Sequence, residues 1–210
     1  MVCNIYSGQE KCILINFEVF GVMIDENFRE LDFGAGPEAD RYLDQVVRSV
    51  IFEGWDRARV NEFMQAVRAT VRTYDPGTTI VEEGQEAFDM YMVLGGTVAL
   101  PDLGIELNSP SVFGEAAVLP YSRNRIRNAT VAAPELGPEG VVATELLHIV
   151  GGDVITLKNR SLNGCGMAAD FYGGLAKVGH ARLADMNLAY SAQLETNEGL
   201  RRELAQYKGK

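Results

Sequence analysis

Histidine is almost missing from this chain: His148 and His180 are the only two in 210 residues. Neither has a companion at metal-ligand spacing, so no metal site is expected and both read as packing or surface residues. Cysteine is scarce and odd in number. Cys3, Cys12 and Cys165 form no ligand-spaced cluster, and without a recognisable secretory leader they fit free thiols in a reducing, cytoplasmic setting. Cys165 has no histidine near it in sequence to make it a nucleophile. Basic residues are outnumbered, 19 against 29 acidic for a net charge of −10. Phosphate backbones repel such a chain at long range, and no nucleic-acid partner is expected. Long apolar runs are lacking too. Residues 13–24 are interrupted by Asn16, Glu18 and Gly21, too short and too polar for a bilayer span or a signal core, so no membrane insertion is expected.

What is present is material for one sizeable core: 47% of residues are apolar. Twenty-two glycines exceed the usual share of about 7% and announce many turns. Residues 13–24 are β-branched and aromatic and read as one or two strands. After Gly34 and Gly36, with Pro37 in an opening turn, Tyr42, Val46, Val50 and Ile51 recur at helical spacing. Val60, Phe63, Met64 and Val67 mark a second helix, which Asp56 is placed to cap. From residue 69 to 150 short apolar runs alternate with Pro and Gly punctuation, the texture of a β-barrel or β-roll. Strands are expected at 70–74, 78–82, 90–94, 97–100, 105–107, 128–132 and 142–150, with an exposed excursion around Pro134, Gly137, Pro138 and Gly140.

Helical character returns beyond Gly152. Met167, Phe171, Leu175 and Val178 form one stripe, and Leu183, Met186, Tyr190 and Leu194 continue it after a slip near His180. A long terminal helix, broken or bent, is expected, with Gly173, Gly174 and Gly179 marking the bend or a close helix contact.

Two stretches are more specific than composition. In the first, residues 80–96, the turn glycine Gly84 leads to the apolar run Met90, Tyr91, Met92 and Val93 and then to Gly96. In the second, Phe113, Gly114, Glu115, Ala116, Ala117 and Val118 precede a connection ending in Arg127, Asn128, Ala129, Thr130 and Val131. In this order they resemble the early signature and the phosphate-binding cassette of the cyclic-nucleotide-binding domain family, the family of bacterial catabolite activators and protein kinase A regulatory subunits. The resemblance covers about residues 50–179.

It implies an α+β fold: a cyclic-nucleotide-binding β-roll of the double-stranded β-helix or jelly-roll type, flanked by helices and followed by a long C-terminal helix. It implies three parts, an N-terminal extension at 1–39, the roll with its leading helices at 40–160, and a C-terminal lid, dimerisation or docking helix at 161–210. In the family an arginine holds the exocyclic phosphate oxygens, a task suited to a planar fork of donors, and that role falls to Arg127. A glutamate accepts the ribose 2′-hydroxyl, which falls to Glu115, while backbone amides around Gly114, Ala116 and Ala117 face the phosphate. Ala116, Ala117 and Ala129 admit close approach, Asn128 and Thr130 complete the ligand-binding segment, and Phe171 and Tyr172 are candidates for a lid over the base. Arg123 and Arg125 alternate with Arg127 and are the competing arginines.

The resemblance thus implies a non-enzymatic sensor for cAMP or cGMP, without cofactor or metal, working through a homodimer or a protein partner at the C-terminal helix. No helix-turn-helix pair with a basic face follows, which disfavours a DNA-binding activator. A cupin-like metal oxygenase would need a histidine-rich roll. The alternative is a scaffold or assembly subunit built on a ligand-free roll.

Overall fold

A computed structural model describes residues 22–24, 28–34, 38–120, 125–135 and 143–208. Among the described residues ten strands form two sheets. The larger contains β1 (Val22–Ile24), β2 (Phe28–Asp32), β3 (Thr70–Tyr74), β10 (Thr144–Val150), β5 (Asp89–Gly95) and β8 (Val112–Phe113), in that spatial order. The smaller contains β4 (Thr79–Val81), β9 (Val131–Ala132), β6 (Thr97–Leu100) and β7 (Ile105–Asn108). Every pairing is antiparallel.

Strand parity divides the apolar residues between two cores. On β5, Met90, Met92 and Leu94 face the helices, while Tyr91 and Val93 face the smaller sheet. On β10, Leu147 and Ile149 join the helical core and Leu146 the inter-sheet core. This is why residues 90–94 read as a continuous apolar run: the strand is buried on both faces. Parity also brings a row of side chains to the inner face, since Thr70 is opposite His148, His148 opposite Tyr91, and Tyr91 opposite Phe113.

Helix α1 (Ala39–Val47) packs beside α2 (Arg57–Ala66), and the Asp56 carboxylate accepts from the Arg59 amide at 2.8 Å, so the expected cap is in place. Val50 and Ile51 do not extend α1. They belong to a separate 3-10 turn, Val50–Phe52, which Ser49 opens with extended backbone. Strands β2 and β8 were not expected from the sequence, and β9 is shorter than the expected 128–132. Of the expected strand at 13–24 only Val22–Ile24 lies within the described residues, as do Pro134 and Glu135 of the expected excursion. Cys3, Cys12, Gly36, Pro37 and Arg123 lie outside them.

The C-terminal region comprises α4 (Gly151–Arg160) and α5 (Leu162–Lys208), and the four-residue helix α3 (Glu115–Val118), which follows β8, packs beside α4. The interruption falls at Ser161, not near His180, through which α5 runs as helix. Ser161 is extended, with φ −161° and ψ 165°, and its hydroxyl accepts from the Gly164 amide at 3.0 Å, starting the new helix. Of the three glycines expected at a bend or contact, Gly174 makes the contact. A methyl group there would overlap the Ile51 carbonyl and lie 2.7 Å from Ile51 Cα, so α5 rests directly on the 3-10 turn. Among the described residues no helix is long and apolar enough to cross a membrane.

Candidate functional site

The two sequence stretches hold each other. Gly84, at φ +84°, turns the chain so that its amide donates to the Arg127 carbonyl at 2.9 Å. The Arg127 amide donates to the Gln85 carbonyl at 2.8 Å, and the Ala87 amide to the Arg125 carbonyl at 2.7 Å. The turn at Gly84 is therefore the template on which Arg127 is laid.

Arg127 points inward and is 7% exposed. A guanidinium so buried requires counter-charge and acceptors, and Asp89 supplies both. Arg127 Nη1 donates to the Asp89 carbonyl at 3.0 Å, and Nη2 pairs with Asp89 Oδ1. The other carboxylate oxygen accepts from His148 Nε2 at 2.7 Å and from the Tyr91 hydroxyl at 3.0 Å. A carboxylate only accepts, so His148 carries hydrogen on Nε2, and its Nδ1 meets the Thr70 hydroxyl at 3.3 Å. Burial alone would raise the Asp89 carboxyl, but the hydrogen bond and charge of His148, then Arg127, bring it net below the ordinary carboxylate range. Tyr91, buried and beside Asp89, is pushed above the usual phenol range.

Gly114 opens α3 in the left-handed region, φ +74°. A side chain there would be strained and would also overlap Arg127 Nη1. The guanidinium thus lies against the first turn of α3. Glu115, the first residue of that turn, is half-buried and pairs through Oε1 with Arg182 of α5, which also donates to the Val112 carbonyl. Glu115 and Arg127 consequently flank Gly114, each with its own ionic partner.

The remaining candidates occupy varied positions. Ala116 is exposed and Ala117 buried; Asn128 is exposed, with Ala129 and Thr130 half-buried. The Thr130 hydroxyl accepts from the Glu83 amide at 3.2 Å. Arg125 lies over the exposed Phe88 ring, 5.7 Å from its centroid. Phe171 requires correction: it is fully buried, 4.8 Å from Phe63 and 6.0 Å from Phe52 between ring centroids. A ring enclosed in the helical core has no face to offer a base. Tyr172 packs against the same core, with its hydroxyl buried and without a hydrogen-bond partner among the described residues.

Sequence reading passed over Asp89, Tyr91 and Arg182 as site residues and took His148 as ordinary. Parity held a signal for three of these, because Asp89 and Tyr91 share the inner face of β5 opposite an inward His148. Arg182 is a contact across 67 residues and had no local signal. Among the described residues no group of three His, Cys, Asp or Glu is placed to hold a metal.

The two-sheet architecture has solved counterparts. A cyclic nucleotide-binding domain from Methylobacillus flagellatus superposes with a TM-score of 0.55 over 77% of this chain and 88% of its own, at 12% identity. The fold is the cyclic-nucleotide-binding β-roll. The Thermus thermophilus catabolite activator protein aligns with a TM-score of 0.50 and 25% identity, over 68% of this chain. This chain spans 62% of that protein's length. No protein-family model matches the sequence, and no curated protein matches it. Within that roll, α3 and the Arg127 segment are the stretches that resemble the phosphate-binding cassette, and α5 continues beyond them.

Proposed function

We propose that this chain is a non-enzymatic regulatory protein that binds a cyclic nucleotide, cAMP or cGMP, on the cassette formed by Gly114, Glu115, Ala116, Ala117, Arg127, Asn128, Ala129 and Thr130. The observation carrying this reading is the packing of the Arg127 guanidinium against Gly114, which brings a fixed cation to the turn that starts at Glu115. A guanidinium has five donors. Asp89 takes two and fixes the plane, leaving others for phosphate oxygens. Each charge-assisted bond contributes about 1.5–3 kcal/mol, so two or three with base burial reach the roughly −8 kcal/mol of micromolar affinity.

The output element is α5. From residue 183 to 201 every described side chain on it is exposed, including Leu183, Met186, Tyr190, Leu194 and Leu200. Leu183, Met186, Tyr190 and Leu194 form an apolar stripe suited to a second copy of the chain or a partner helix. Occupancy changes that contact only if the ligand binds one placement of α5 more tightly than another.

Titration calorimetry with cAMP and cGMP tests the reading. Wild type binds one of them, Arg127→Gln loses it, and Ala116→Val, on the exposed side of the cassette, weakens it without lowering stability. A second reading, a scaffold using the roll without ligand, is favoured by one observation: Asp89 already neutralises Arg127. Absence of binding to both nucleotides selects it.

A further inference from the structure

The pairing of Arg182 with Glu115 joins the proposed ligand site to the proposed output element, and it rests on that reading of the site. Arg182 stands where α5 leaves the roll. It is the last described residue of the helix that is half-buried, since those described from 183 to 201 are exposed. Nearer the start of α5, Asn163, Asp170 and Lys177 bind Glu62, Arg59 and Glu53 on the leading helical segment. Arg182 reaches elsewhere. Its two acceptors are Glu115 Oε1 in the cassette and the Val112 carbonyl on β8, the strand that leads into it.

Glu115 has a second oxygen, Oε2, with no hydrogen bond among the described residues. A carboxylate accepts along several lone-pair directions, so one oxygen can hold Arg182 while the other accepts a sugar hydroxyl. Without Arg182 the Glu115 side chain would be free to rotate towards water, and a ligand would have to order it on binding. We infer that Arg182 is a positioning residue for Glu115: it orients the carboxylate for the ribose hydroxyl, so that ligand binding and docking of α5 at residue 182 strengthen each other. By linkage the effect is reciprocal. Ligand holds the base of the free helix against the cassette, and the docked helix raises ligand affinity.

Two variants and two readouts test this on the full chain. Arg182→Gln removes the charge from a half-exposed site, so folding is not at risk, and Arg182→Lys restores charge without the fork. Calorimetry with cAMP and cGMP should show affinity about ten-fold lower in Arg182→Gln, within the range typical of coupled sites, and partly recovered in Arg182→Lys. Hydrogen exchange of the amides at 178–186 should slow on ligand addition in wild type and not in Arg182→Gln. If wild type binds and Arg182→Gln binds equally, with the same ligand-induced slowing, the coupling is overturned while the binding site stands. If wild type binds neither nucleotide, the site reading fails and the coupling fails with it.

Discussion

Replacing Asp89 by Asn should move stability and ligand response in opposite directions. In the free protein the Asp89 carboxylate is the counter-charge of Arg127 and also accepts from His148 and Tyr91. Removing one member of a buried pair typically costs about 3–5 kcal/mol, because the other charge is left stranded. Two features place this case at the low end. Asp89 is 22% exposed, and the bond from Arg127 to the backbone carbonyl of residue 89 survives. A loss of about 3 kcal/mol corresponds to a Tm lower by about 6–12 °C for a chain of this size. A bound phosphate would then provide the missing negative charge, so saturating nucleotide should raise the Tm of Asp89→Asn by more than that of wild type. The acid limb follows from the direction of the Asp89 shift. A carboxyl held below its ordinary value stabilises the fold above the unfolded pKa near 3.9 and loses that contribution as pH falls through the folded value. The gap between wild type and Asp89→Asn should therefore close below about pH 4. Thermal melts with and without nucleotide, and urea titrations from pH 7 to 3, measure both. A Tm loss under about 2 °C at pH 7, or a ligand response smaller than wild type's, refutes the reasoning.

Gly174 and Gly173 should respond oppositely to Ala. At Gly174 the methyl overlaps the Ile51 carbonyl, so Gly174→Ala should lower stability by about 3 kcal/mol or more in denaturant titration. Nothing lies within 4 Å of a methyl at Gly173, and the helix propensity gained should stabilise that variant by about 0.5–1 kcal/mol. Tyr172→Phe should also stabilise, by about 1 kcal/mol, because it removes a buried hydroxyl that has no partner among the described residues. The Tyr42 hydroxyl, pushed up to about 12 by burial and by its 2.7 Å bond to Glu145, should appear as a phenol titrating near that pH by ultraviolet absorbance and vanish in Tyr42→Phe.

The roll was legible because its information is local. Glycine turns and period-2 burial are written within a few residues, so the β3 to β7 segments and the cap at Asp56 followed from spacing. Strand β2 was not legible, since its Arg29, Glu30 and Asp32 are polar residues on a short strand. It pairs with β3, and there Glu30 binds Arg72. The cassette residues were readable as a motif, whereas their ionic partners were not. Which acid neutralises Arg127 depends on how the 125–127 segment lies against residues 84–87, and the contact between Glu115 and Arg182 depends on where a helix 67 residues later passes. Phe171 was ambiguous for a related reason: a helical stripe does not say whether its aromatic meets a core or a ligand, and three-dimensional packing assigned it to Phe52 and Phe63.

The most direct test of the binding claim is a crystal structure of the full chain with cAMP or cGMP at saturating concentration. The account predicts an exocyclic phosphate oxygen within hydrogen-bond distance of Arg127, beside Gly114, and the ribose 2′-hydroxyl on Glu115. A cassette that remains empty, or a nucleotide bound away from Arg127, would contradict it.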